Sequence, residues 1–133
     1  MSIKVEVSVG ELLDKMTILQ IKAERIKDAS KLENIKKELR VLQSQWKDSP
    51  YARDNLDEKI TLLKEVNETL WEIEDKIRNK EKQQTFDEEF IALARSVYIS
   101  NDQRAEIKRI INSQTGSALI EEKSYSDYTV NKH

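Results

Sequence analysis

Five carboxylate side chains recur along one stretch of the chain at spacings of seven, three, four and three residues, namely Glu58, Glu65, Glu68, Glu72 and Asp75. In a helix these spacings place the side chains on one face. Clustered carboxylates can hold Mg²⁺, which takes oxygen ligands and brings a phosphate substrate with it. Glu72 and Asp75 form an E-x-x-D pair, but the chain has no E-E-x-x-E motif to face it, and lysines are interspersed on the same stretch. A solvated acidic face is therefore the favoured interpretation, and a Mg²⁺ site at Glu72 and Asp75 is the alternative.

A second set of charges lies on two other stretches of the chain. Asp14 and Arg25 share one side of an apolar predicted helix with Ile18 and Ile21, so these charges lie near the core and need partners. A later stretch supplies cations and a phenol, which could bind a phosphate or carboxylate near a helix N-terminus predicted at Asn101. A structural network of ion pairs is the favoured interpretation, and an anion site is the alternative. The residues assigned to this cluster are Asp14, Lys15, Arg25, Arg95, Tyr98, Asn101, Arg104 and Lys108.

The residue types that the chain lacks exclude several kinds of catalysis. There is no cysteine, and the one histidine is the last residue, His133. Zinc hydrolysis, Ser-His-Asp chemistry and Cys-His chemistry all need an internal histidine or a cysteine, so they are excluded. No catalytic residue is predicted, and no cofactor is expected apart from the alternative of Mg²⁺.

The charge balance argues against nucleic acid and membrane partners. The chain has 23 Lys and Arg against 25 Asp and Glu, for a net charge of -2, so it lacks the basic excess of a nucleic-acid binder. Lys4 and Glu6 stand where a secretory signal would be apolar, and no apolar run approaches the length of a membrane span. We therefore expect a cytoplasmic protein.

Only two glycines and one proline occur in 133 residues, which favours an all-α protein with short connections. Start and stop signals predict a helical bundle of about five helices. The first helix begins at Ser8 and ends near residue 28, the second begins at Ser30, and the third runs over residues 51–84. The fourth begins at Thr85, and the fifth has Asn101 as its N-cap and Gly116 just past its end.

The third predicted helix is too long for its neighbour to cover. It would span roughly 50 Å, and its apolar stripe runs from Leu56 to Ile77. With the second helix, which repeats apolar residues in a heptad pattern, it forms a long central helical hairpin. Either the other helices or a second chain must cover the rest. We therefore predict a homo-oligomer in which Leu63, Val66 and Leu70 contribute to the contact.

The two ends of the chain differ from the helical part. Ile3, Val5, Val7 and Val9 alternate with polar residues, which predicts a short half-buried strand. A lone strand needs a partner, and the segment 119–125 near the other end is the candidate. Residues 1–123 are predicted to form a single helical domain, followed by a polar, flexible tail over residues 124–133.

Three stretches of the chain resemble a bacterial family known only as a domain of unknown function. They are Val7–Lys15 with its continuation to Ile26, Phe90–Tyr98 followed by Asn101–Ala105, and Glu121–Tyr125. The resemblance covers nearly the whole chain and implies a small stand-alone protein of bacterial or phage type. It implies no activity, so the function must be inferred from the residues.

Two functions are compatible with these patterns. The favoured one is a non-catalytic interaction or oligomerisation module, because the third helix is long and the usual catalytic residue types are missing. The alternative is a small all-α enzyme or sensor that binds a phosphorylated or carboxylated metabolite, with Mg²⁺ as an optional partner. A closed web of ion pairs around Asp14 would favour the first, and an open pocket there would favour the second.

Overall fold

The computed structural model of the chain is all-helical over the residues it describes, which are 1–117, 119, 122, 127 and 128. Four α-helices follow one another: α1 (Val9–Arg25), α2 (Ala29–Asp48), α3 (Asp57–Lys82) and α4 (Glu88–Thr115). A single 3-10 turn, Pro50–Arg53, connects α2 to α3. The prediction of an all-α protein is therefore confirmed.

Helix α1 occupies the centre of the fold because it contacts each of the other three helices. Helices α3 and α4 form an antiparallel hairpin, α1 packs against both of its helices, and α2 packs on α1. The main core lies where α1 meets the hairpin. Its buried members come from α1, the start of α3 and the end of α4, and they are Val9, Leu13, Met16, Leu56, Leu63 and Ile111.

The predicted central hairpin is corrected in its members. Helix α2 makes its contacts with α1 and the 3-10 turn, whereas α3 pairs along its length with α4. The apolar heptad positions of α2 therefore pack against α1, and Ile35 is the one buried residue of α2. Helices α1 and α4 cover α3, which is one of the two arrangements that its length left open. Among the described residues, no helix combines the length and apolar character that a membrane span requires.

The helix starts follow the strongest local acceptor. At α1 the Ser8 hydroxyl accepts a hydrogen bond from the Glu11 amide at 3.1 Å, as the capping box predicts. At α2 the cap is Asp28, which accepts from the Lys31 amide at 3.0 Å, and not Ser30. At α4 it is Asp87 and not Thr85. A carboxylate accepts more strongly than a hydroxyl, which accounts for both shifts.

The prediction of a fifth helix is wrong, because α4 continues for 28 residues without a break. Asn101 lies inside this helix, where its amide oxygen accepts from Arg104 Nη1 at 3.4 Å. A good N-cap residue does not stop a helix when neither glycine nor proline follows it. The end of α4 is as predicted, since Gly116 adopts the left-handed conformation with φ 65°.

The start of α3 also differs from its prediction. Residues 50–53 form the 3-10 turn, so α3 begins at Asp57 and is 26 residues long. At 1.5 Å per residue this is about 39 Å, shorter than the sequence suggests.

The predicted N-terminal strand is not confirmed. Residues 1–7 have no regular secondary structure, and no strand occurs in the part of the chain that the structure describes. The predicted partner, residues 119–125, lies largely outside the described residues, as does most of the predicted tail. Of that tail, the Tyr128 ring lies edge-on to the Tyr98 ring, with 5.0 Å between centroids.

Candidate functional site

A buried carboxylate joins three helices at the centre of the fold. Asp14 of α1 is 1% exposed. Its Oδ1 accepts hydrogen bonds from Asn67 Nδ2 of α3 at 2.8 Å and from Arg104 Nε of α4 at 3.0 Å. Its Oδ2 accepts from Arg104 Nη2 at 2.7 Å. A buried carboxylate needs a cation and hydrogen-bond donors to offset the loss of water, and Asp14 has both.

Arg104 binds Asp14 through the fork of its guanidinium group. Nε and Nη2 both donate to the carboxylate, a bidentate geometry that fixes orientation as well as charge. The helix interior holds Arg104 in place because α4 continues through Asn101, whose side chain accepts from the third guanidinium nitrogen. If α4 started at Asn101, Arg104 would lie in the first turn of a separate helix, and its side chain would project in a different direction.

The start of α1 is attached to α4 by a second set of polar contacts. Lys108 Nζ lies 2.6 Å from Glu11 Oε2 and 3.8 Å from Asp14 Oδ2. The Gly10 amide donates to Asn112 Oδ1 at 2.7 Å. The backbones come so close that a Cβ on Gly10 would lie 2.8 Å from the Lys108 carbonyl oxygen. Glycine at this position therefore allows α1 to approach α4.

Asn67 completes the network on the α3 side. Its Nδ2 group donates to Asp14 Oδ1 and also to Thr17 Oγ1, at 3.0 Å. The Thr17 hydroxyl in turn donates to the backbone oxygen of Asp14 at 2.7 Å. We call these residues, Glu11, Asp14, Thr17, Asn67, Arg104, Lys108 and Asn112, the α1 network.

The hydrogen bonds and ion pairs of the α1 network connect three helices. Both oxygens of Asp14 have donors, two cations face two carboxylates, and the contacts link α1 with α3 and α4. Among the described residues, the charges of the α1 network therefore pair with one another across the three helices.

Half of the predicted cluster belongs to the α1 network or touches it, namely Asp14, Asn101, Arg104 and Lys108. The other four lie elsewhere. Lys15 pairs with Glu38 of α2 at 3.0 Å, and Tyr98 contacts Tyr128. Arg25 reaches Glu68 and Glu72 of α3, each at 3.5 Å, and Arg95 is exposed.

The two predicted magnesium ligands face different surroundings. Glu72 is paired with Arg25, and Asp75 lines a groove beside Arg78 and Trp71. Within residues 1–117 and the four described positions beyond them, no group of three or more His, Cys, Asp or Glu side chains is placed to hold a metal ion. The magnesium site stays a prediction with two carboxylates and no third ligand in the described part of the chain.

Two of the three residues predicted for an oligomer contact are buried, and the third lines a groove. Leu63 and Val66 are buried, Leu63 completely, in the core that α3 shares with its neighbours. Leu70 is half-buried and lines the groove between α1 and α3. Leu63 and Val66 have little surface that a second copy could contact, whereas Leu70 lines an open groove, so the oligomer contact stays a prediction.

Two grooves flank the α3–α4 hairpin. One, of about 410 Å³, lies beside the α1 network and combines apolar residues of α1 and α3 with two arginines and two carboxylates, Arg78, Arg104, Glu74 and Asp75. The other, of about 680 Å³, lies between α3 and α4 and includes Ile99, Ile107 and Tyr128 among its walls. Both are open to solvent.

A second ion cluster lies at the tip of the hairpin, far from the α1 network. Lys80 Nζ lies 2.9 Å from Asp87 Oδ2 and 3.1 Å from Glu89 Oε2. Hydrogen bonds to Asp87 and Glu89 raise the pKa of Lys80. The hydrogen bonds from Lys80 and from the Phe90 amide lower the pKa of Asp87. We call this group the tip cluster.

Sequence reasoning missed four members of the α1 network, namely Glu11, Thr17, Asn67 and Asn112. A signal for two of them was present. Asn67 lies between Leu63 and Leu70 in an apolar stripe, and Asn112 directly follows Ile111. A polar side chain at a buried position of a helix needs a partner, so its presence there indicates a network.

The fold and the site together define a small all-α protein whose central helix is held by a buried ion-pair network. The model of a family of unknown function, DUF6165, matches residues 3–131. The chain belongs to this family, which confirms the resemblance seen in the sequence. No curated protein and no solved structure matches the chain.

Proposed function

We propose that this protein is a non-catalytic interaction module that associates with a second copy of itself. One observation carries the proposal. Ile3, Val5 and Val7 are 90%, 75% and 47% exposed, whereas Val9, the next residue of the same alternation, is buried in the core. An apolar row that starts in the core and continues into solvent is typical of a surface that is covered in an assembly.

The distribution of charge supports the same proposal. The polar groups that could do chemistry, Asp14, Arg104 and Lys108, are already bound to one another. In contrast, the exposed apolar side chains have no described neighbour of comparable size to cover them. Burying such surface stabilises by about 25 cal/mol per Å², so an assembly that covers it is favoured.

The test is light scattering of the full chain after size-exclusion chromatography over a wide concentration range. We expect a mass of twice one chain at high concentration, with dissociation on dilution. A triple variant, Ile3→Ser with Val5→Ser and Val7→Ser, should remain monomeric. Ile91→Ser, at a residue 56% exposed on α4, is the matched control and should behave as the wild type. A strict monomer at every concentration would contradict the proposal.

A second candidate, binding of an anionic metabolite, is supported by the groove of about 410 Å³ beside the α1 network. Arg78, Arg104 and Trp71 line it, as do the carboxylates of Glu74 and Asp75, so it offers an apolar wall with charges of both signs. The matching test is a thermal shift with inorganic phosphate, with and without Mg²⁺. Arg78→Ala should remove the shift. The cytoplasmic location and the bacterial or phage origin stay predictions from the sequence.

A further inference from the structure

We infer that residues 3–7 pair with the same residues of a second copy as an antiparallel two-stranded ribbon centred on Val5. The inference rests on the proposed self-association and names its contact. It explains why the alternating segment has no strand partner among the described residues of its own chain. Three observations carry it: the segment's sequence, its exposure and the way it is attached to the core.

The sequence of the segment is complementary to itself. In an antiparallel pair centred on Val5, Lys4 lies opposite Glu6 of the other copy, and Ile3 lies opposite Val7. Opposite charges directly across a strand pair stabilise it, and like charges destabilise it. The Lys4–Glu6 ion pair forms twice by symmetry, and every apolar residue faces an apolar residue.

No other simple register has this property. Parallel pairing in register puts Lys4 against Lys4 and Glu6 against Glu6. An antiparallel pair centred on Lys4 or on Glu6 also brings that residue against its own copy. A shift by one residue mixes charged with apolar residues on both faces. Charge and pattern therefore select the antiparallel register centred on Val5.

The segment is available for this pairing. Residues 1–7 are exposed, and among the described residues no hydrogen bond or ion pair to their backbone or side chains is found. Lys4 and Glu6 accordingly have no ionic partner within the described part of the chain. The backbone is already extended at Ser8, with φ -68° and ψ 160°.

The base of the segment is held firmly, so the strand is presented from a fixed point. Ser8 caps α1, Val9 is buried in the core, and the Gly10 amide is bound to Asn112 of α4. A ribbon of two strands is only marginally stable by itself. Here pairing also gathers six apolar side chains, three from each copy, on one face of the ribbon.

Single cysteines in the cysteine-free chain test the register directly. Opposed Cα atoms of an antiparallel pair lie about 4.5–5.5 Å apart, within the range of about 4.4–6.8 Å that a disulfide spans. Val5→Cys should therefore form a disulfide-linked dimer quickly under mild oxidation. Ile3→Cys should not, because its own copy lies about 13 Å away along the ribbon. An equal mixture of Ile3→Cys and Val7→Cys chains should cross-link as a heterodimer.

Charge reversal gives an independent readout. Lys4→Glu alone, or Glu6→Lys alone, puts like charges across the ribbon and should raise the dissociation constant of the dimer about tenfold. Mixing the two single variants should restore association, since each then meets the opposite charge. Val41→Cys, at a residue 51% exposed on α2, controls for cross-linking by collision.

The outcomes separate this inference from the proposed function. Efficient cross-linking of Ile3→Cys with itself would indicate parallel pairing and overturn the inference. A dimer by light scattering with no Val5→Cys cross-link would overturn the ribbon and leave self-association standing at another surface. Amide protection of residues 3–7 that does not change with concentration would assign the strand to a partner within the chain. A strict monomer would overturn both the ribbon and the proposed function.

Discussion

The α1 network and the tip cluster use the same chemistry in opposite surroundings. In each, a cation on one helix binds carboxylates across a helix–helix contact, Arg104 to Asp14 in the first and Lys80 to Asp87 in the second. The Asp14 side chain is 2% exposed, and that of Asp87 is 47% exposed. Burial, and not the number of ion pairs, separates the two sites.

Because the two sites differ in burial, their ion pairs contribute differently to the free energy of unfolding. At the tip, water can replace either partner, so an exposed pair contributes little to the free energy of unfolding. In the α1 network, removing one partner leaves a charge in a site that water does not reach. The buried network therefore determines how α1 packs against α3 and α4, whereas the tip cluster contributes little to the stability of the α3–α4 hairpin.

Removal of Arg104 should have the largest effect. Arg104→Ala leaves Asp14 buried with only Asn67 and a distant Lys108, and we expect a loss of about 3 kcal/mol in the free energy of unfolding. Arg104→Lys should recover part of it, because lysine restores the charge without the fork. Urea denaturation measures the change. Arg109→Ala is the control, because the Glu106 partner of Arg109 is exposed. An equal loss of stability in this variant would contradict the claim that burial makes the Arg104 pair more important.

The close approach of α1 to α4 should give the next largest effect. Gly10→Ala places a Cβ 2.8 Å from the Lys108 carbonyl oxygen, and forcing the helices apart should cost about 2 kcal/mol. The matched change Gly116→Ala meets no neighbour within 4 Å. It should cost only about 1 kcal/mol, for the left-handed backbone. Thermal unfolding of both variants distinguishes crowding from backbone strain.

At the tip, a glycine should stabilise where it is added. Gln84, in the α3–α4 connection, has φ 54°, a conformation that glycine adopts without strain. Gln84→Gly should raise stability by roughly 0.5 kcal/mol, after the loss of its side-chain bond to the Glu81 carbonyl oxygen is taken into account. Gln83→Gly, in right-handed backbone, should instead destabilise. The same sign for both would show that strain at Gln84 has no consequence.

The smallest effect should be a pH dependence at the tip cluster. The pKa of Asp87 is lowered from its ordinary value of 3.8 by Lys80 and the Phe90 amide. Its contribution is therefore fully present above pH 3.8 and is lost as the pH falls through the lower folded pKa. An NMR titration should show the Phe90 amide shift moving in that window, and Asp87→Asn should abolish the movement. A midpoint above 3.8 would contradict the assignment.

Much of the fold could be predicted because it depends on local signals. The scarcity of glycine and proline, the cap at Ser8 and the left-handed end at Gly116 each act within a few residues. Competition between neighbouring residues for the role of helix cap could not be predicted from the motif alone. Asp28 displaced Ser30 as a cap, and Asn101 failed to start a helix, because both outcomes depend on contacts just beyond the motif.

The local sequence specifies the all-α class of the fold and the need of a buried Asp14 for a cation. It also contains the self-complementary order of residues around Val5. Helix packing determines which cation reaches Asp14. It also pairs Lys15 with α2 and Arg25 with α3. Leu63 and Val66 become buried in the same way. The physical reason is distance along the chain. Helix signals act over one turn, whereas Asp14 and Arg104 are 90 residues apart and meet only after the helices have packed.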